Sequence, residues 1–96
     1  MSTYLIAEVN LIKHEAYNEY LSKLPKIVLK YNGEYLVRGG KISHHEGKWK
    51  PRRTVMVKFP NRDKALAFYN SKEYERFKAI RNKVAESNLI FVDGII

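Results

Sequence analysis

"RRTVMVKFP", residues 52–60, is the stretch of this chain from which the fold is best worked out. It is rich in β-branched residues, and its central "VMV" places apolar side chains on both faces of a strand. Upstream, "EYLVRGGKISHHE", residues 34–46, has the same β-rich character, and "GKWKP" between the two segments turns the chain. The two segments therefore predict a hairpin of antiparallel strands in the middle of the chain.

A strand and a helix precede this hairpin. The strand is "TYLIAEVNL", residues 3–11, which is short, β-rich and bounded by polar residues. From His14 the apolar residues recur at three- and four-residue steps, which predicts one apolar helical face. That face carries Tyr17, Tyr20, Leu21, Leu24, Ile27, Val28 and Tyr31. We expect Pro25 to kink this helix near its middle. Asn32-Gly33 should end it, with the glycine in the left-handed conformation of a C-terminal cap.

A broken helix and a last strand follow the hairpin. Asn61 is a good N-cap for "RDKALAFYN", and Ser71 is a second N-cap that opens a helix through about Glu86. The apolar stripe of that helix carries Tyr74, Phe77, Ile80, Arg81 and Val84. "NLIFVDGII", residues 88–96, completes the order βαββαβ. This order predicts one α+β domain over residues 1–96 with a ferredoxin-like, four-stranded antiparallel sheet in the order 4-1-3-2.

Three of the predicted strands contain runs that are apolar on both faces: "YLIA", "VMV" and "LIFV". Such runs indicate a sheet that is covered on both sides, and two helices cover only one side of four strands. A second copy of the same sheet is the simplest cover for the other side. We therefore predict a homodimer in which two sheets pack face to face and form a barrel with the helices outside.

The alternation along the strands assigns side chains to the two faces. Leu5, Ala7 and Val9, with Val55, Val57 and Phe59, suit the helix-covered face. The face opposite the helices is assigned Tyr4, Ile6, Glu8, Thr54, Met56, Lys58, Phe91 and Asp93. We expect a small-molecule cavity on that second face. Glu8 and Asp93 are its candidate catalytic acid and base, with a raised pKa on one of them if they lie close together; the alternative is a salt bridge to Lys58 or Arg81.

The Arg38-Gly39-Gly40 segment is the most specific local feature. In a functional interpretation the glycines allow close approach of a ligand, while Arg38 holds its carboxylate or phosphate. In a structural interpretation the glycines form a bulge in an edge strand and Arg38 pairs with a carboxylate of the fold. We expect Arg38 to point toward the helix-free side, near the rim of the cavity.

His44-His45-Glu46 does not predict a metal site. In a strand only His44 and Glu46 share a face, and zinc needs three or four ligands. The spacing also matches no metal-binding signature. Ser43 and His44 are neighbours that would point to opposite faces, so they do not form a nucleophile and base pair.

The basic residues around Trp49 allow a second hypothesis. "KWKPRR" could stack its tryptophan on a base while its cations contact phosphates, and the net charge of +8 favours anionic partners. No other nucleic-acid motif accompanies it, however. Lysines that are distributed along the whole chain also keep a small protein soluble. We therefore prefer a solvated hairpin tip with Trp49 folded back over nucleic-acid binding.

The composition bounds the class of protein. There are no cysteines, which excludes disulfides and thiolate metal sites and fits a reducing compartment. No apolar run approaches the roughly 20 residues of a membrane span, and the N-terminus does not look like a signal peptide. We expect a cytoplasmic protein with no membrane contact.

Together the segments "YLVRGG", "EGKWKPRRTVMVKFPN" and "FYNSKEYERFKAIR" resemble the family named domain of unknown function 1330, within the dimeric α+β barrel superfamily. The resemblance runs from about Tyr4 to Gly94. The residues that carry it are Arg38, Gly39, Gly40, Glu46, Gly47, Arg53, Phe59, Pro60, Ala65, Tyr69, Ser71, Tyr74 and Arg81.

The resemblance implies the barrel fold and the dimer, without implying a particular reaction. Proteins of this architecture include cofactor-free monooxygenases, lactone isomerases, haem-dependent enzymes and sensing domains. We expect a protein that binds or transforms a small, anionic molecule without a cofactor. The candidate ligand-binding residues are Arg38, Gly39, Gly40, Arg53, Tyr69, Tyr74 and Arg81.

Overall fold

The computed structural model describes residues 1–11 and 14–96. Its elements are β1 (Thr3–Leu11), α1 (His14–Lys30), β2 (Glu34–Arg38), β3 (Arg53–Phe59), α2 (Arg62–Tyr69), α3 (Lys72–Val84) and β4 (Ala85–Asp93). The predicted ferredoxin-like α+β fold, including the break of the second helical segment near Asn70, is confirmed. In the described residues no helix is long and apolar enough to cross a membrane.

The four strands form one antiparallel sheet in the order β2-β3-β1-β4, as predicted. Its register places Leu5 opposite Val57 on one side and opposite Phe91 on the other. Directly opposed residues of an antiparallel pair share a face. The odd-numbered residues of β1 and β3 therefore face the helices together with the odd-numbered residues of β4.

The core lies between this face and the helices. Phe68 of α2 is at its centre, with its ring centroid 5.4 Å from that of Phe59 and 4.5 Å from that of Tyr74. The other buried apolar residues are Leu5, Ala7, Val9, Leu24, Val28, Val57, Ala65 and Phe77. The predicted apolar faces of β1, β3 and the helices thus meet in one cluster. The side chains of Tyr17, Tyr20 and Val84 lie outside the described part of the chain.

Both predicted N-caps are confirmed. The side chain of Asn61 accepts a hydrogen bond from the Lys64 amide at 2.9 Å. The hydroxyl of Ser71 accepts one from the Tyr74 amide at 3.1 Å and donates to the Phe68 carbonyl at 2.7 Å. Ser71 therefore ends α2 and begins α3 with one side chain, which explains the break between them.

Asn32 and Gly33, the two residues that end α1, have roles that differ from the prediction. Asn32, with a φ of 63°, takes the left-handed conformation, which asparagine tolerates because its side chain bonds locally. Gly33 is needed for packing, since a Cβ atom there would lie 2.6 Å from the Val28 side chain and 2.9 Å from Phe59. The expected left-handed glycine is wrong, although the helix ends where predicted.

Strand β2 is shorter than its sequence predicts. It ends at Arg38, and residues 39–52 have no regular secondary structure, so the expected strand through residue 46 is wrong. Gly39, with a φ of +74°, leads the chain out of the sheet. The bulge expected at the glycines falls earlier, between Tyr35 and Val37, which leaves Leu36 as the extra residue.

Strand β4 also begins earlier than predicted. It starts at Ala85, directly after α3, and ends at Asp93, whereas the sequence predicted a strand over residues 88–96. The pairing of Leu11 with Ala85 explains the early start, because β1 offers ladder partners over its whole length. Beyond the strand, the pairing with the N-terminal segment continues, because the Gly94 amide donates a hydrogen bond to the Ser2 carbonyl at 2.8 Å.

Candidate functional site

A cavity of about 40 Å³ lies between the helix-covered face of the sheet and helices α1 and α3. Its described lining is mostly apolar, and it includes three arginines and no acidic side chain. The lining residues are Leu5, Ala7, Val9, Leu21, Leu24, Val28, Tyr35, Arg38, Arg53, Val55, Val57, Phe68, Tyr74, Arg81 and Leu89. The cavity therefore joins an apolar interior to a set of strong hydrogen-bond donors.

Arg38 lies at the exposed margin of this cavity, on the helix side of the sheet. The expectation that it points toward the helix-free side is wrong, and the bulge gives the reason. Without a bulge Arg38 would share a face with Leu36. The extra residue inverts the alternation, so Val37 pairs with Met56 on the helix-free face and Arg38 pairs with Val55 on the helix face.

Arg53 starts β3 opposite Val9, which also faces the helices. Gly39 makes room for its guanidinium group, because a Cβ atom at residue 39 would lie 2.0 Å from Nη1 of Arg53. Close approach thus explains Gly39, although the group that approaches is a side chain of the same chain. Gly40 is exposed, and a Cβ atom there would meet nothing within 4 Å.

Arg81 and Tyr74 bring a buried polar pair from α3 to the cavity. Arg81 is 5% exposed and Tyr74 is 1% exposed. Nη1 of Arg81 donates to the Tyr74 hydroxyl at 2.5 Å. Tyr69 does not line the cavity; its ring packs against Tyr74, with centroids 5.8 Å apart, and so supports the site from behind.

Asp93 lies on the helix side, so its assignment to the helix-free face is wrong, and it is far from Arg53 of the cavity. Asp93 pairs with Thr3, and Arg53 pairs with Val9. Thr3 and Val9 are six residues apart on β1, which is about 20 Å along a strand. Thr3 donates to its carboxylate at 2.8 Å, and Arg62 forms a salt bridge to it at 2.9 Å. These two donors lower the pKa of Asp93, with Thr3 the larger cause.

Glu8 is on the helix-free face, as predicted, and is therefore separated from Asp93 by the sheet. Its carboxylate accepts hydrogen bonds from the Trp49 indole at 3.3 Å, the Arg52 amide at 3.1 Å and the Asn88 side chain at 3.3 Å. A shallow depression of about 240 Å³ lies beside it. The expected close pair of carboxylates does not form.

Trp49 folds back to the sheet through its bond to Glu8, as expected, yet 70% of the residue stays exposed. The histidines lie in the loop. His44 bonds the Gly47 carbonyl at 2.7 Å, and His45 lies 3.0 Å from the Ser43 hydroxyl. No cluster of three possible metal ligands occurs in residues 1–11 and 14–96.

Sequence reasoning placed the small-molecule cavity on the helix-free face, where the described residues form the shallow depression beside Glu8, and it did not predict the convergence of the three arginines on the helix side. One signal for it was available. Arg53 lies on the same alternation of β3 as Val55, Val57 and Phe59, which were correctly assigned to the helix-covered face. The position of Arg38 had no such signal, because an edge-strand bulge cannot be read from alternation.

The chain matches the model of the family described as "Domain of unknown function (DUF1330)" over residues 2–95, and it belongs to that family. The confirmed sequence resemblance and the fold agree. No curated protein matches the chain.

Solved structures share this fold at low sequence identity. A protein of unknown function from Rhodopseudomonas palustris is 14% identical with a TM-score of 0.73, over 99% of this chain and 83% of that chain. A dimeric ferredoxin-like protein of unknown function from Jannaschia sp. is 9% identical with a TM-score of 0.72, over 98% and 100%. A mutant of SnoaB, a cofactor-independent oxygenase from Streptomyces nogalater, is 8% identical with a TM-score of 0.61, over 99% and 94%.

Proposed function

We propose that the protein binds a small molecule with an apolar body and one anionic group in the helix-side cavity, and that it needs no cofactor to do so. The observation that carries this proposal is the convergence of Arg38, Arg53 and Arg81 on a lining whose other described residues are mostly apolar. Guanidinium groups hold carboxylates and phosphates in pairs of charge-assisted hydrogen bonds. Valine and leucine side chains around them suit the rest of the ligand.

The three arginines differ in their access to solvent, which suggests an order of action. Arg38 is exposed and meets a ligand first. Arg53 is partly buried, and Arg81 is buried beside Tyr74. A cation in a low-dielectric site attracts an anion more strongly than one in water. Glu8 and Asp93 have no part in this binding, because both lie outside the cavity.

Calorimetric titration tests this proposal. The probes are acetate, butyrate and benzoate, each compared with its neutral amide of the same shape. We expect at least one carboxylate to bind with about tenfold higher affinity than its amide, the difference that one or two charge-assisted hydrogen bonds supply. Arg52→Ala, which removes an exposed loop arginine outside the cavity, should leave this preference unchanged. Equal affinity for acid and amide in the whole series would contradict the proposal.

We also propose that the protein is a homodimer closed through the helix-free face of the sheet. That face carries Ile90 and Val92 with 55% and 43% exposure in the single chain. Ile6 and Met56 lie beside them on the central strands. The similar Jannaschia protein is described as dimeric. Light scattering at micromolar concentration should give about twice 11.3 kDa, and a monomer mass would contradict the dimer.

Nucleic-acid binding is the second candidate, and the exposed Trp49 among Lys48, Lys50 and Arg52 is the observation in its favour. Titration with random single-stranded DNA at several salt concentrations separates the two hypotheses. Tight binding with a steep salt dependence that disappears in Trp49→Ala would favour this alternative. We expect weak binding that does not depend on Trp49.

A further inference from the structure

Pro25 lies inside α1, four residues after Leu21. A helical residue at position 25 would normally donate its N–H to the carbonyl of residue 21, and proline has no N–H to donate. The Leu21 carbonyl is thereby released from the helical ladder at a point where Leu21 lines the cavity. A released carbonyl needs another donor.

Arg38 supplies that donor. Its Nη2 atom donates to the Leu21 carbonyl, which ties the edge strand β2 to α1 across the margin of the cavity. The ring of Tyr35 lies beneath its guanidinium group, with 5.1 Å between the ring centroid and the Cζ atom. The bulge at Leu36 is what turns Arg38 to this side of the sheet. One hydrogen bond and one stacking contact thus fix the position of the guanidinium group.

We propose that Pro25 is a positioning residue for the ligand anchor. By releasing the Leu21 carbonyl, Pro25 orients Arg38 so that its other N–H groups meet the anionic group of an entering ligand. This inference rests on the proposed function of the cavity. An arginine has five N–H donors, and the bond to Leu21 uses one of them. A guanidinium group held in place before binding loses less conformational entropy when the anion arrives.

The first experiment needs no ligand and tests the unit of Pro25 and Arg38 by itself. Arg38→Ala, Pro25→Ala and the double variant are unfolded in urea beside the wild type. Pro25→Ala restores an N–H that can bond the Leu21 carbonyl within the helix. We therefore expect Arg38→Ala to lower the free energy of unfolding in the wild-type background and to lower it clearly less in the Pro25→Ala background. Equal losses in both backgrounds would overturn the orienting role.

The second experiment measures the preference for charge, defined as the affinity for benzoate divided by that for benzamide. We expect Arg38→Ala to reduce this ratio about tenfold, and Pro25→Ala to reduce it about threefold, with the affinity for benzamide unchanged. A merely structural role of Pro25 would weaken both ligands together. The inference is overturned if the ratio stays at its wild-type value in either variant.

The two experiments also separate this inference from the proposed function. If the wild type binds none of the carboxylates, the proposed function and the anion-anchoring step both fail, whatever the urea result. If the wild type prefers carboxylates but the Pro25→Ala ratio does not fall, the cavity retains its function and only the positioning role is lost.

Discussion

The two faces of the sheet are built by the same four strands and have opposite properties. On the helix side Leu5, Ala7 and Val9 are at most 6% exposed, and the face encloses a cavity with three guanidinium groups. On the other side Ile90 and Val92 remain largely exposed. The chain therefore completes only one face by itself. Our two proposals accordingly concern different faces, with ligand binding proposed on the completed face and self-association on the open one.

The largest effect should come from breaking the completed face. Phe59 is fully buried and packs against Phe68, so Phe59→Ala should cost about 3–5 kcal/mol of unfolding free energy, the range for truncating a buried phenylalanine. Urea unfolding measures the loss. Lys58→Ala, one residue away and on the other face, is the matched control and should cost under about 1 kcal/mol. Similar losses for the two variants would mean that the faces are not as different as their burial indicates.

Alternation in the sequence predicts the faces of the two central strands correctly. Leu5, Val57 and Phe59 lie on the helix side as expected, because a central strand has neighbours on both sides that hold its register. The faces predicted for the two edge strands, β2 and β4, are wrong. The bulge at Leu36 inverts β2 and carries Arg38 to the other face.

The face of strand β4 was predicted wrongly for a different reason. Its run "LIFV" is apolar at every position, so the sequence contains no phase from which a face can be read. Pairing with β1 alone decides it, and places Phe91 opposite Leu5. The position of Arg38 depended on the edge strand β2, which is why the fold was predicted well while the convergence of the arginines on the helix side was not.

The second prediction concerns a charge introduced on the open face. Met56 lies at the centre of that face, between Val37 and Ile6. Met56→Lys should weaken the proposed dimer by about 3 kcal/mol, because it would bury a cation against an apolar partner surface. Light scattering across a dilution series measures the shift toward the monomer. Leu66→Lys on α2 adds the same charge to another exposed apolar position, and it should leave the mass unchanged.

The third prediction concerns the glycine pair that ends β2. Gly39→Ala should cost about 1–3 kcal/mol, since alanine is strained at a φ of +74° and its methyl group would displace the Arg53 guanidinium. Gly40→Ala meets no neighbour within 4 Å and should change stability by about 0.5 kcal/mol or less. Thermal unfolding of both variants measures the contrast. The sequence marks the pair, but only the structure distinguishes its two members, and equal losses would remove that distinction.

The smallest effect should come from Asp93, at the end of the helix side that is remote from Arg53. Thr3 and Arg62 lower the pKa of its carboxyl below the ordinary value of 3.8. A group whose pKa is lower in the folded state stabilises the fold above its unfolded value, and this contribution is lost as the pH falls through the folded value. Asp93→Asn should therefore melt below the wild type at pH 7, and the gap should close as the pH falls from about 5 to about 2.

The partner of Asp93 provides the control for this pH effect. Arg62→Gln removes the salt bridge at 2.9 Å and should show a gap from the wild type that closes in the same pH range. The double variant should add little to Asp93→Asn, because that change already removes the partner of Arg62 in the salt bridge. Both carboxylate and guanidinium are about half exposed, so added salt should shrink the gap as well. A gap that stays constant from neutral to acidic pH would contradict this account, because protonation of Asp93 weakens both the salt bridge to Arg62 and the charge-assisted hydrogen bond from Thr3.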